Sequence, residues 1–428
     1  MSKNINYCIV GNTDSLPEDI PSDIDIVVDP LSIGLIDSLL FKFANNNQIY
    51  LIQILQHEQT AFYFILAWMS EKGELHFLHP DICGDYYRNG RKLISAKKIL
   101  QKSVVAGYET GEPKNFPVPP PDMEFIYYLI KKIDKENLNS KHFNHITREW
   151  GKDIIGATNR IKKIWPTELA NSLSRAFKEK NYSNVVDALP ALKNELHTKY
   201  PIKFFDFFLE LKRKIKRILF PTGLFIAFLG PDGSGKSSVI DQMTIQLAPA
   251  FRNTQYIHLR PTLFTMKKKK NISVDTPHGK APRGRISSLF KIIYFLFDYN
   301  AGYLIKILPF LIKSNMVIFD RYYYDLLVDP RRYRYSGPMW LARIIGKLMP
   351  EPDLIFILDA PANVLQERKQ EVSYDETERQ RISYLKLGKK IKNTIIVDTS
   401  QPLEKVILTV NQTTIQFLAK RTKKRLGF

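Results

Sequence analysis

The stretch LFIAFLGPDGSGKSSVIDQMTIQLA, residues 224–248, constrains this 428-residue chain more than any other. An apolar run gives way to GPDGSGKS at 230–237, which fits the pattern G-x-x-x-x-G-K-[ST], and a segment with helical apolar spacing follows. Glycines at 230, 233 and 235 let successive backbone N–H groups curl around phosphate oxygens. Lys236 can reach the β- and γ-phosphates, and the Ser237 hydroxyl can ligate Mg²⁺. The following helix N-terminus adds its own preference for anions. The expected nucleotide-binding surface is therefore Gly230, Gly233, Ser234, Gly235, Lys236, Ser237 and Ser238. Asp232 is unusual there, because a carboxylate among phosphates is unfavourable unless it points away. It either accepts a hydrogen bond from an acceptor hydroxyl or caps a local turn.

A strand–loop–helix of this kind implies an α/β fold, and the pattern around it agrees. Strands recur at 254–258, 315–320, 353–359 and 393–398 with helical segments between them, which predicts a parallel sheet with helices on both faces. Upstream the character changes. Residues 122–218 are almost free of strand patterning, and MEFIYYLIKKIDK and FFDFFLELKRKIKRIL place apolar residues at helical spacing. The proline cluster at 113–121 separates this segment from an N-terminal region with strands predicted at 7–12, 24–28 and 74–83 and a helix at 31–46. The division expected is 1–112, 122–218 (helical) and 222–428 (α/β).

Residues 320–335, DRYYYDLLVDPRRYRY, follow directly on the apolar run Met316–Phe319. Ligands of open α/β sheets bind beyond the carboxyl ends of strands, so Asp320 is expected near 230–237, where it can hold Mg²⁺ or its waters. Arg321 can grip an acceptor phosphate with both arms of its guanidinium. Phosphoryl transfer needs such a clamp, because its transition state is stabilised mainly by positioning and electrostatics.

With these residues in view, 222–428 resembles the thymidylate kinase family of P-loop kinases. GPDGSGKSS carries Asp232 at the family's acidic position. Asp320-Arg321-Tyr322 stands at its Asp-Arg pair, PEPDLIFILDAP (350–361) at a strand with its preceding proline-rich turn, and IIVDTS (395–400) at the strand and turn that border adenine. The resemblance implies an ATP- and Mg²⁺-dependent kinase. Asp320 would organise the metal, Arg260 of HLRP and Arg321 would hold the acceptor, and Arg368 with Arg379 or Arg381, in ERKQEVSYDETERQRISY (367–384), would close a lid over ATP. The chain departs from the family after Asp-Arg-Tyr, where the serine and the tyrosine-glutamine pair of thymidine recognition are replaced by YYDLLVDPRRYRY, and its lid is short. HLRP, DRYYYD and RKQE together are similar to thymidylate kinase-like proteins of bacterial polysaccharide gene sets. The acceptor expected is a nucleoside monophosphate or a sugar of a surface glycan. Arg331, Arg332 and Arg334 suggest a bulkier anion or a plain basic surface, and His258 either orients the acceptor or is structural.

In GNTDSLPEDIPSDIDIVV, residues 11–28, Asp23 and Asp25 alternate with isoleucines and so share one strand face. Two carboxylates on one face repel unless a cation lies between them, which favours a metal pair. The string resembles the nucleotidyltransferase superfamily, where a Gly-Ser turn precedes an Asp-x-Asp strand. That resemblance implies an α+β domain and a third carboxylate, with Asp81 the candidate and Glu74 in reserve. Asn12 stands in place of the usual serine. The domain is either an active nucleotidyltransferase, making the chain bifunctional with the kinase or leaving the α/β region to sense ATP, or a regulatory or substrate-holding one.

The formal net charge is +20, but residues 1–110 carry nine Lys/Arg against thirteen Asp/Glu. The basic excess therefore lies downstream and suits polyanionic ligands, an acidic membrane face or nucleic acid. No nucleic-acid-binding motif accompanies the basic runs, so specific nucleic-acid binding is not expected. KRKIKR at 212–217, beside FFDFFLEL, reads as an amphipathic helix that rests on an anionic membrane or packs against a neighbouring domain. Lys267–Lys270 are either a loop at the acceptor mouth or solvated, and KRTKKRLGF at the C-terminus reads as disordered. IIYFLFDYNAGYLIKILPFLI, 292–312, is long enough to span a bilayer. Asp298, Asn300 and Lys306 interrupt it, so it reads as a buried helix. Two cysteines form no disulfide framework, and the N-terminus lacks a signal-peptide run. The expected setting is cytoplasmic or peripheral at the inner membrane face, and a homodimer is open.

Overall fold

The structure is a computed structural model that describes residues 5–11, 13–20, 23–107, 114–263, 281 and 283–427. The chain divides into two compact units. The first covers residues to 68, 77–216 and from 421 onward, and the second covers 69–76 and 217–420.

In the first unit, β1 (Tyr7–Ile9), β2 (Ile24–Val28), β3 (Tyr50–Glu58), β4 (Ala61–Met69), β5 (Leu75–Leu78) and β6 (Pro80–Cys83) form one sheet in the order β1-β2-β6-β4-β3, with β5 also on β4. Helix α1 (Ile33–Asn46) buries Ile36, Leu40 and Ala44, a stripe at four-residue spacing. The sequence reading passed over β3 and β4. β4 is a continuous apolar run, β3 breaks its apolar residues at Gln53 and Gln56 without strict alternation, and Gln59-Thr60 between them lacks the glycine or asparagine that usually marks a hairpin. The next hairpin, β7 (Tyr86–Arg88) and β8 (Arg91–Ile94), turns on Asn89-Gly90, whose φ angles of 49° and 81° are those such a turn demands. A short helix, α2 (Ala96–Leu100), and the strand pair β9 (Val104–Val105) and β10 (Pro117–Val118) lead into five helices: α3 (Pro121–Asp134), α4 (Ser140–Lys152), α5 (Ile154–Ile164), α6 (Thr167–Lys178) and α7 (Tyr182–Lys199). Phe125, Leu129, Ile130 and Ile133 of α3 share one hydrophobic core with Val27 and Cys83 of the sheet and with Leu192 and Leu196 of α7. The helical segment and the N-terminal sheet thus form one unit. A further helix, α8 (Phe204–Leu219), ends the segment.

The second unit is built on β11 (Leu224–Leu229), β12 (Thr254–His258), β13 (Met316–Asp320), β14 (Leu354–Asp359) and β15 (Thr394–Asp398), all parallel, in the order β12-β13-β11-β14-β15. All six residues of β11 are buried, as the central strand of a sheet covered on both faces must be. The helices are α9 (Lys236–Leu247), α10 (Arg285–Gly302), α11 (Leu308–Ile312), α12 (Asp325–Val328), α13 (Met339–Gly346), α14 (Ala362–Arg368), α15 (Tyr374–Gly388) and α16 (Leu403–Leu426).

Two expectations change here. Residues 285–312 form α10, a π turn at Tyr303–Ile307 and α11, and only one face is buried, through Ile292, Phe295, Asp298, Tyr299 and Ile307. Among the described residues this is the one helix long and apolar enough to cross a membrane, and its buried Asp298 accepts a hydrogen bond from Leu263 N at 2.9 Å. The described C-terminal residues are helical where the sequence reads as disordered. Helix α16 continues through 426, with Thr422 buried and its hydroxyl donating to Ile52 O at 2.7 Å. The lysine run 267–270 lies outside the described residues.

Candidate active site

The central strand β11 runs into the loop 230–235, and α9 starts at Lys236. Gly230, Gly233 and Gly235 have φ of 144°, 81° and 81°, conformations that a side chain resists. Two of them are also pressed by neighbours: a Cβ at Gly230 would lie 2.5 Å from Leu358 O, and one at Gly233 2.7 Å from Leu365 O. Lys236 is buried, and its ammonium donates to Gly230 O at 2.9 Å, Pro231 O at 2.7 Å and Ser234 Oγ at 3.3 Å. The cation is thus folded onto the loop's own carbonyls. Burial, and then the Arg321 guanidinium, depress its pKa to about 8. Ser237 and Ser238 are exposed in the first turn of α9.

Asp320 ends β13 in register with Phe228 of β11 and His258 of β12, so it lies at the strand edge beside the loop. Its Oδ2 accepts from the Tyr256 hydroxyl at 2.8 Å and lies 3.6 Å from His258 Nδ1. Burial alone would raise the pKa, but His258, Lys236 and Tyr256 outweigh it and hold the carboxyl below the usual range. Oδ1 is buried with no hydrogen-bond partner. A buried, ionised carboxylate with one free oxygen suits a hard divalent cation, and Mg²⁺ on one or two carboxylates plus phosphates needs no larger protein cage. Accordingly, the described residues contain no cluster of three or more His, Cys, Asp or Glu side chains able to hold a metal.

Asp232 resolves the difficulty its charge posed. Its two oxygens accept from Arg321 Nη2 and from Arg332 Nη2, and the two guanidiniums outweigh burial to hold the carboxyl well below its ordinary pKa. Arg321, at φ 70° with its N–H donating to Phe228 O, is flanked on its other side by buried Asp325 at 3.9 Å. Burial would lower the Arg321 pKa, but Asp325 and Asp232 raise it. Arg332 also reaches Glu371 at 3.2 Å. The Asp232–Arg332 link spans 100 residues and leaves no mark in the local sequence. Three of the tyrosines of 320–335 belong to the core, whereas Tyr333 lines the cavity that holds Arg260 and its buried hydroxyl has no hydrogen-bond partner among the described residues. Tyr322, Tyr323 and Tyr324 are buried, and the hydroxyls of Tyr322 and Tyr323 donate to Pro350 O and Ala342 O.

Arg260 faces Asp298 at 3.4 Å and lies over Tyr294 at 5.1 Å. It lines a cavity of about 1220 Å³ together with Arg283, Arg285, Lys291, Arg332 and Phe290, and among the described residues no carboxylate lines it. Burial and the like charges of Arg283, Arg260 and Arg334 lower the Lys291 pKa to about 8. The expected lid residues are dispersed. Arg368 is exposed at the end of α14. Arg379 and Arg381 fall on α15, where Arg379 pairs with Glu376 at 2.7 Å and Arg381 with Asp359 at 2.9 Å. Only five residues, 369–373, join α14 to α15.

In the first unit, Asp25 and Asp81 are register neighbours on β2 and β6. They do not gather with Asp23 into a metal-ligating cluster. The Lys131 ammonium donates to both oxygens of Asp25 at 2.9 Å, and His57 Nε2 lies 3.3 Å from Asp81. The counter-cation that the paired carboxylates call for is supplied by α3, more than a hundred residues away. Burial keeps the Asp25 pKa raised, while His57 outweighs burial at Asp81 and lowers it. Exposed Glu74 faces His76 at 3.9 Å. Gly11 N donates to Glu124 Oε1 at 2.8 Å.

Comparison with known proteins agrees with the second unit. The family model "Thymidylate kinase" matches residues 228–409. The thymidylate kinase of Lacticaseibacillus casei (strain BL23) is 26% identical over 211 residues, 45% of this chain and 95% of that protein. That of Fervidobacterium nodosum is 25% identical over 196 residues, 43% of this chain and 94% of that protein. The crystal structure of thymidylate kinase from Ehrlichia chaffeensis aligns with 45% of this chain and 98% of its own, at 21% identity and a TM-score of 0.33. The C-terminal region, residues 228–409, is a thymidylate kinase-like domain, and its chemistry is that of a P-loop phosphotransferase.

Proposed function

We propose that the second unit transfers the γ-phosphoryl group of ATP to an acceptor that already carries a phosphate, either a nucleoside monophosphate or a phosphorylated sugar of surface-glycan synthesis. One observation carries this reading: among the described residues, the cavity holding Arg260 and Arg332 is lined by five cations and no carboxylate, and Arg332 joins it to the phosphate loop through Asp232. Arg260 and Arg332 already face Asp298 and Asp232, but Lys291 is crowded by like charges, which a bound phosphate relieves and a neutral sugar does not. The names of the curated relatives make thymidylate the first acceptor to try, although 322–335 departs from the thymidine-recognition pattern.

Ser237 and Asp320 would hold Mg²⁺, whose chemistry is to neutralise charge on the donor phosphates. Lys236 exchanges loop carbonyls for phosphate oxygens. Arg321, fixed between Asp232 and Asp325, presents its charge at the strand tip, and Arg260 holds the acceptor phosphate. The burial of Asp320 and Lys236 strengthens each of these contacts.

The test is an acceptor screen with ATP labelled at the γ position and, separately, at the α position. Transfer of γ label to a phosphate-bearing acceptor, abolished by Lys236→Ala, is expected. Transfer of γ label to unphosphorylated sugars alone would overturn the acceptor class. Transfer of α label, abolished by Asp25→Ala, would establish nucleotidyl transfer in the first unit, the reading that the Lys131–Asp25 pair disfavours.

A further inference from the structure

Helix α8 is inside out. Its stripe Asp206, Glu210 and Arg213 faces the first unit, and its apolar residues face away from that unit. Asp206 and Glu210 are 8% and 5% exposed, whereas Phe204 is 80%, Phe205 69%, Phe207 54% and Phe208 49% exposed. Leu211 and Ile215 continue the exposed face along the helix. The arrangement is held in place by specific contacts. Gln59 Nε2 donates to Asp206 O at 2.7 Å, Arg213 Nη1 donates to Gln56 O at 3.1 Å, and the same guanidinium grips both oxygens of Glu210 at 2.8 and 2.6 Å. The polar side of α8 is therefore docked on the tip of the β3–β4 hairpin, and that orientation leaves no apolar stripe for the core of the first unit.

A surface helix normally buries its apolar stripe, and contiguous exposed apolar area marks an interaction site. The charge around this stripe identifies the occupant. The only acids between 203 and 216 are Asp206 and Glu210, both turned inward, whereas Lys203, Lys212, Lys214 and Lys216 are all exposed. A second copy meeting this face with the same face would set lysines against lysines with no exposed carboxylate on the helix to answer them. A bilayer with anionic headgroups answers both features, since it accepts phenylalanines at the acyl boundary and pairs with lysines at the surface. We infer that α8 lies on the surface of an anionic phospholipid membrane, with the phenylalanines inserted and the lysines on the headgroups.

Vesicle flotation of the full chain tests this. Binding is expected to phosphatidylcholine vesicles containing roughly 30% phosphatidylserine, to fall at high salt, and to drop about tenfold or more in Lys212→Glu/Lys216→Glu. Phe205→Ser/Phe208→Ser is expected to abolish it, with ATP-dependent turnover unchanged because neither residue belongs to the phosphate-transfer site. Absence of vesicle binding by the well-folded wild-type chain would overturn the inference. So would equal binding to pure phosphatidylcholine, which would remove the role of the lysines. A dimer that dissociates in Phe205→Ser/Phe208→Ser would assign the face to a second copy, and a saturable complex with an acidic protein, insensitive to vesicles, would assign it to that partner.

Discussion

At the scale of single residues, the site is a set of charges each held by a neighbour, and that dictates how the chemistry responds to pH. Lys236 has its pKa depressed from 10.5 to about 8 by burial and by Arg321. A depressed amine is protonated below about 8 and neutral above it, so the loop loses its cation as pH rises through that value. A bound triphosphate favours the ammonium and raises the pKa again, so nucleotide binding above pH 8 takes up a proton. The dissociation constant for ATP is therefore expected to rise from pH 7.5 to 9.5, and Lys236→Arg, whose guanidinium stays charged, should flatten the profile. Calorimetric titration at the two pH values in buffers of different ionisation enthalpy measures both quantities. Asp320→Asn removes the ionised group beside the orphaned Oδ1. It is expected to lower kcat by at least about 100-fold, to raise the Mg²⁺ concentration needed for half-maximal rate, and to leave the melting temperature nearly unchanged. A matching loss of melting temperature would make Asp320 structural instead.

At the scale of elements, the glycines of the loop 230–235 separate backbone strain from crowding. Gly233 and Gly235 share a φ of 81°, but a Cβ at Gly235 meets nothing within 4 Å, whereas one at Gly233 meets the carbonyl of Leu365 at 2.7 Å. Gly235→Ala is expected to cost about 1 kcal/mol from the left-handed conformation alone. Gly233→Ala should cost more, about 2–3 kcal/mol, because backbone must also move. Urea unfolding, followed through the transition that ATP shifts, orders the two, and equal costs would contradict the packing at Leu365. This loop was legible in the sequence because strand, glycines and helix are contiguous, and β13, β14 and β15 were each marked by an apolar run that ends at an aspartate, as at Asp320 and Asp359. The β3–β4 hairpin was not legible, because its turn lacks a special residue and its strands carry no alternation. The partners that define the charges were hidden for a different reason. Lys131 with Asp25, and Arg332 with Asp232, meet across more than ninety residues, and local pattern carries no record of such pairings. Arg379 and Arg381, which the family resemblance assigns to a lid over ATP, are engaged by carboxylates on their own helix and on β14.

At the scale of the whole molecule, the last helix shows how composition misleads. KRTKKRLGF is so rich in charge that disorder is the natural reading, but Thr422 and Leu426, four residues apart, lie on one helical face. Thr422 is buried and bonded to Ile52 O, Leu426 packs against the cluster that holds Ile36 and Leu40, and Lys423 lies 5.8 Å from the ring centroid of Phe41. These contacts belong to the first unit, although the residues lie at the far end of the chain from its sheet. Removing 421–428 therefore subtracts at least the Thr422 hydrogen bond, of about 1 kcal/mol, and a partly buried leucine of similar worth. The first unit should lose about 2 kcal/mol, while the phosphate loop and its strands keep every contact within the second unit. Scanning calorimetry with and without ATP distinguishes the outcomes. The transition that ATP does not shift is expected to move down by several degrees, and the ATP-shifted one to stay in place. If the ATP-shifted transition moved instead, the terminal residues would have to support the nucleotide fold, and the assignment of 421–428 to the first unit would fail.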